Sequence, residues 1–206
     1  MEKERRRAVL LALAAAALYA LSVPFSKLLL TRFPPVLLAA LLYLGAGIGM
    51  SAADAAQARF GGRGAGLTRA EAPYLAGMLL LDALAPVLMM LGLRSADAAG
   101  ASLLSNFEIV ATALFAALLF REKISRRLWL SVGLIALSCL LLSFQGGGGL
   151  HFSPGSLLVL LSSLCWGLEN NCSRKLSGGN AARIAAIKGL FSGCCALLLS
   201  RLTGEA

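Results

Sequence analysis

Among the ionisable residues inside long apolar runs are Asp82, Glu108, Glu169 and Lys188. Charge in such surroundings is costly, roughly 2.5–3.5 kcal/mol per residue at the centre of a membrane-inserted helix. Carboxylates and an ammonium kept there pass protons, contact a substrate or pair with one another. Polar residues recur around them at helical spacing. Ser162, Trp166, Glu169, Asn170 and Ser173 fall at i, i+4, i+7, i+8 and i+11, which is one helical face. Tyr19, Ser22 and Ser26 form a similar face earlier in the chain. Ser102, Ser105, Asn106, Glu108 and Thr112 occupy less than half the circumference of another helix. The candidate substrate-contacting residues are therefore Tyr19, Ser22, Asp82, Asn106, Glu108, Trp166, Glu169, Asn170 and Lys188. For the serines and threonines the plainer role is helix-to-helix bonding. Glu169 also lies about a turn from Arg174, close enough to pair with it at an interface.

Other chemistries lack their residues. There is no Ser/His/Asp set, no HExxH, no P-loop and no ATP-binding segment, so no enzyme and no ATP-driven machine is expected. The five cysteines (Cys139, Cys165, Cys172, Cys194, Cys195) sit in apolar runs without metal-ligand spacing. The single histidine, His151, stands alone in a Gly-rich turn. No disulfide framework, no metal and no cofactor is expected. A net charge of +9 raises the question of nucleic acid. Its location answers it, because the cations cluster in short segments between apolar runs and aromatics do not interleave with them. The expected partners are the lipid bilayer and a small-molecule substrate, with no nucleic acid.

The elements that must position these residues are membrane helices. The 206 residues are 58% hydrophobic and 14% charged, with a mean hydropathy of +0.80; a soluble domain carries about 25% charged residues. Seven spans are expected, at Ala8–Leu30, Val36–Ser51, Pro73–Leu93, Ala98–Phe120, Leu128–Phe144, Gly155–Cys172 and Ala181–Ser200. Each is long enough to approach or cross a ~30 Å hydrocarbon core at ~1.5 Å per residue. The basic start, Lys3 to Arg7, resembles a signal peptide, but the apolar run after it is too long and no small-residue cleavage site follows. Pro24 permits a kink in the first span, and Lys27 is expected to snorkel to the far interface. Gly45/Gly49 in the second span and Gly189/Gly193 in the seventh offer small faces for close helix approach. Residues 52–72 read as a polar loop. Thirteen of the nineteen cations fall on one side of this arrangement, three on the other and three within spans. That bias predicts a cytoplasmic N-terminus, and seven spans then put the C-terminus outside. The fold class is all-α, a polytopic helix bundle in the cell (inner) membrane.

The stretch from Ala98 to Phe144 joins two of these spans through Arg121-Glu122-Lys123-Ile124-Ser125-Arg126-Arg127. A turn with four cations in seven residues belongs at a water interface. Asn106-Phe107-Glu108-Ile109-Val110, the run Leu118 to Ser125, Leu128-Trp129-Leu130 and Gly133-Leu134-Ile135 together resemble the drug/metabolite transporter superfamily, and more narrowly its EamA-type domain. That resemblance implies two five-helix repeats of opposite orientation. An internal similarity fits: at an offset of 147, Tyr19 meets Trp166, Ala20 meets Gly167, Leu21 meets Leu168, Ser26 meets Ser173 and Lys27 meets Arg174. The second copy lies five spans after the first, so its orientation is inverted. Inverted repeats characterise secondary transporters, with the substrate site near the midplane between them. Residues 1–145 are then the first repeat, and 146–206 the first two helices of the second. Lys188 matches a basic residue of the family's second helix, whereas Leu41-Leu42 stand at the corresponding place in the first copy.

The expected function is secondary transport, as an exporter of small metabolites or drugs working by alternating access. The chain is expected to be truncated after its seventh helix, weakly active or inactive unless it forms a homodimer. Two alternatives are a membrane fragment that transports nothing and a seven-helix retinal photoreceptor. For the latter, Asp82 and Lys188 mimic a counter-ion and a Schiff-base lysine, against an opposite N-terminal orientation and only 7% aromatics.

Overall fold

A computed structural model describes residues 2–59, 68–96, 98–123, 125–143, 153–176 and 180–205. Expectations placed on residues 60–67 and 177–179, on Asp97, on Ile124 and on most of the Gly146–Pro154 turn with His151 lie outside that set. The side chain of Cys139 lies outside it as well.

Every regular element among the described residues is helical. The helices are α1 (Glu2–Leu29), α2 (Pro35–Arg59), α3 (Ala72–Ser95), α4 (Ala98–Ser105), α5 (Phe107–Leu118), α6 (Arg126–Ser143), α7 (Pro154–Lys175) and α8 (Ala181–Leu202), with a 3-10 turn at Arg69–Glu71 leading into α3. The chain is thus a polytopic membrane helix bundle. Among the described residues five stretches are long and apolar enough to cross a membrane: Arg5–Leu29, Pro35–Arg59, Arg69–Ser95, Gly100–Leu118 and Ala181–Leu202. α6 and α7 fall short of that measure. α6 opens on Arg126-Arg127, and α7 carries serines, asparagines and a glutamate along its length. At 22 residues α7 is still about 33 Å long.

Several boundaries depart from those expected from the sequence. The fourth span is not continuous: it breaks at Asn106 into α4 and α5. The Asn106 side-chain amide donates to the carbonyls of Ser102 (3.1 Å) and Leu103 (3.2 Å), so it competes with the backbone for its own helix's acceptors. α2 runs eight residues beyond Ser51, to Arg59. The segment taken for loop there is Ala-Ala-Asp-Ala-Ala-Gln-Ala, rich in the strongest helix former. Its Asp54 is held by α8, through the Asn180 amide at 2.7 Å and Arg183 Nε at 3.3 Å.

α7 runs through the middle of the bundle, packed on α3, α5 and α4, while α8 lies along α2 and also touches α3. α1 and α6 are peripheral. Glycines set the closest approaches, but not all those expected. A methyl group at Gly45 or Gly49 would meet nothing within 4 Å. The face in contact is that of Gly47, because two residues along a helix is more than half a turn. A methyl at Gly189 would lie 2.6 Å from the Gly47 Cα, and one at Gly193 2.7 Å from the Leu44 nitrogen. Between α7 and α5, Gly167 lets the helices meet where a methyl would come 2.5 Å from the Ala111 Cβ.

The helix ends are tied by side chains. Lys27 does not reach freely to an interface as expected. Its Nζ donates to the carbonyls of Leu93 (2.6 Å), Arg94 (3.2 Å) and Ala96 (2.6 Å), closing the C-terminus of α3. A cation there satisfies orphan carbonyls and complements the helix dipole. At the start of α2, where Pro34 and Pro35 lack N–H groups, the Val36 N–H donates to Glu205 Oε2 at 3.0 Å. α5 ends through Arg121, whose φ of 52° lets the Glu122 N–H turn back to the Ala116 carbonyl at 3.0 Å.

Candidate functional site

α7 supplies the acidic centre. Its residues Ser162, Ser163, Glu169 and Asn171 are buried although polar. Glu169 is only 1% exposed, as is Asp82 on α3. Two carboxylates in such positions require a cation, and α8 provides it. Lys188 Nζ lies 3.0 Å from Glu169 Oε1 and 3.4 Å from Asp82 Oδ1. Hydroxyl groups add to these contacts. Ser192, one turn after Lys188, donates to Asp82 Oδ2 at 3.0 Å, and the Ser173 hydroxyl donates to Glu169. The Tyr43 hydroxyl approaches Asp82 Oδ1 at 3.5 Å. Helices α2, α3, α7 and α8 therefore converge on one ion cluster of two carboxylates and one ammonium.

Glu108 stands beside this cluster on the first turn of α5. Its Oε1 accepts from the Asn170 amide at 2.7 Å, and the same amide lies 3.3 Å from Thr112 Oγ1. Thr112 in turn donates to the Glu108 carbonyl at 2.8 Å. Among the described residues Glu108 makes no ion pair.

These groups line a cavity of about 330 Å³, at the lower end of the range for small-molecule sites (~300–1,000 Å³). Eight of the nine residues singled out in the sequence face it: Tyr19, Ser22, Asp82, Glu108, Trp166, Glu169, Asn170 and Lys188. Asn106 does not. It is exposed and spent on the carbonyls of its own helix. A second cavity of about 380 Å³ lies between α5, α6 and α7, bounded by Thr112, Glu122, Lys123, Asn171 and Arg174. Glu108 and Asn170 line both cavities, so their hydrogen bond stands between the two.

The pairing of Glu169 with Arg174 is not what forms. Glu169 turns inward to Lys188, and Arg174 pairs with Glu122 at the end of the second cavity. Ser26, read in the sequence as part of the polar face of α1, also lines the first cavity. Tyr43 and Ser192 escaped the sequence reading. Ser192 follows Lys188 by four residues and was readable as its helical neighbour. Tyr43, the one hydroxyl in the Leu/Ala-rich first half of α2, offered the weaker signal of an isolated polar atom. No group of His, Cys, Asp and Glu suited to a metal ion occurs among the described residues.

Comparison with known proteins bears on this arrangement. The family described as EamA-like transporter matches residues 6–144. A curated protein named an uncharacterized transporter, from Methanothermobacter thermautotrophicus, is 29% identical over 135 residues, covering 61% of this chain and 38% of its own. This chain thus spans little more than a third of that relative's length. A solved crystal structure superposes with a TM-score of 0.59 over 91% of this chain and 68% of its own, at 22% identity, and shares the fold.

Proposed function

The chain belongs to the EamA-like transporter family, within the drug/metabolite transporter superfamily, and from that premise we propose that it is a secondary transporter exporting small metabolites or drugs across the cell (inner) membrane. The observation that carries this reading is the cavity whose wall holds Asp82 and Glu169, both paired with Lys188. Bilayer-depth charges are retained where a substrate or ion must pass. The second cavity extends the same line toward Glu122, Lys123 and Arg174, at the cation-rich end of the bundle. Transport follows alternating access between inverted repeats, residues 1–145 and the repeat that opens at 146. The N-terminus lies in the cytoplasm, a placement the thirteen-to-three cation bias supports. The contact of Asp82 with Lys188 that a retinal-binding site would need is present, but Lys188 also faces Glu169, and the family is one of transporters.

Orientation is tested with single cysteines at Ala65 and Gly148 and an impermeant thiol reagent on intact cells, against a native-cysteine control. Labelling is expected at Gly148; labelling at Ala65 alone contradicts the topology. Export is tested by loading everted membrane vesicles with a panel of small metabolites and drugs. Uptake above that of vesicles without the protein, for at least one compound, is expected. Uptake equal to the blank throughout contradicts the reading.

A further inference from the structure

We propose that the ligand of the central cavity is an organic monocation, a protonated amine on an apolar or aromatic body, with Glu108 as its counter-ion. The proposal rests on the transporter reading of this site and names its substrate class.

The charge on the wall is unequal. Three carboxylates line the cavity, those of Asp82, Glu108 and Glu169, against one ammonium, Lys188. That ammonium is already committed to two of the three, at 3.0 and 3.4 Å. A carboxylate or phosphate entering here finds no free cation, and it meets the surplus negative charge of the cluster. A cation meets Glu108, which has one hydrogen bond from Asn170 and no ion pair among the described residues. Like charges are thus rejected and an opposite charge is drawn in by the same wall.

The rest of the lining suits the body of such a ligand. Tyr19, Tyr43 and Trp166 present ring surface to the same space, and Met89 and Met90 add polarizable thioethers. Aromatic faces attract cations, most strongly for tryptophan and when water is excluded. Methionine adapts to ligands of differing outline. A small hydrophilic anion or a neutral sugar would leave these surfaces unmatched. Serine hydroxyls at Ser22, Ser26 and Ser105 remain to accept further ammonium protons.

The test uses three probes with the same phenylethyl body on the purified protein in lipid nanodiscs: 2-phenylethylammonium, 2-phenylethanol and 3-phenylpropionate. Trp129→Phe, an exposed position on α6, leaves Trp166 as the remaining tryptophan and the reporter. Saturable quenching of Trp166 by the amine is expected. The alcohol should bind at least tenfold more weakly, and the acid should show no saturation. Glu108→Gln should remove the preference for amine over alcohol. Equal or tighter binding of the acid, no saturable binding of the amine, or a Glu108→Gln protein that still prefers the amine each overturns the proposal. The three-probe comparison needs no change at Glu108, so misfolding of that variant leaves the test decisive. Flux of the same probes in proteoliposomes separates the two levels. Acid flux without amine flux overturns the ligand class and leaves transport standing. Amine binding without any flux overturns transport and leaves the class standing.

Discussion

α1 and α7 share a sequence pattern and not a setting. Both carry an aromatic followed by a small residue and leucine, and both end on serine and a cation: Tyr19-Ala20-Leu21 to Ser26-Lys27, and Trp166-Gly167-Leu168 to Ser173-Arg174. Yet none of the most apolar window of α1 is buried, and in the whole helix only Val23 and Ser26 reach that class among its described side chains. α7 is buried around most of its circumference between Gly155 and Cys172 and touches α3, α4 and α5. The differences that accompany this are specific. Where α1 has Ala20, α7 has Gly167 and admits α5 to van der Waals contact. Where α1 has Pro24, α7 has Asn171, which donates to the Thr112 carbonyl at 3.0 Å and the Gly167 carbonyl at 2.9 Å. Where α1 has Ser22, α7 has Glu169. A helix with three hydroxyls among apolar residues can leave most of its surface to lipid, and one that carries a carboxylate and amides needs protein around it. Lys27 and Arg174, at matching positions, also part ways: one closes the end of α3 and the other pairs with Glu122.

The contrast is open to attack by substitution. The largest effect is expected at Lys188, the cation that makes the α7 carboxylate tolerable. Lys188→Met leaves Asp82 and Glu169 buried beside each other without a counter-charge, and it should cost about 3–5 kcal/mol. Thermal unfolding in detergent should show a large drop in midpoint; a midpoint within a degree of the parent would mean that the cluster carries no stability. Next is the glycine seam. Gly167→Val should wedge α5 from α7 at a cost of about 1–3 kcal/mol, while Ala20→Val, on the exposed repeat position of α1, should stay within about 0.5 kcal/mol. Equal effects would erase the distinction between the two helices. Smaller again is Lys27→Ala, which frees the carbonyls at the end of α3 and should lower stability by about 1 kcal/mol. Faster amide exchange confined to the last turn of α3 would locate the loss.

The same comparison explains what the sequence could and could not convey. Glu108, Glu169 and Lys188 were legible because a charge in an apolar run has few tolerable settings. Their partners were not, since pairing is decided by which helices meet. Glu169 had Arg174 within a turn of itself and took Lys188 from another helix. Gly47 was hidden between two glycines whose spacing looked more regular, because the face that meets α8 is set by α2's rotation about its axis. Asn106 belonged by spacing to the polar stripe of its span, yet its short amide bonds its own backbone and breaks the helix there. The end of α2 was misplaced because its Asp54 and Gln57 suggested a polar loop, while the alanines around them favour helix.

The central claim is that the cavity beside α7 is the transport site, and Glu108 tests it with the least collateral change. It lines both cavities and makes no ion pair among the described residues. Glu108→Gln keeps its shape and leaves the Asp82–Lys188–Glu169 cluster intact. Initial-rate flux of a substrate identified in everted vesicles should be measured in proteoliposomes holding equal amounts of folded parent or variant. A fall of at least tenfold is predicted for Glu108→Gln, beside an unchanged rate for Gly45→Ala on the open face of α2. Parent-like flux from Glu108→Gln would contradict the assignment of the site.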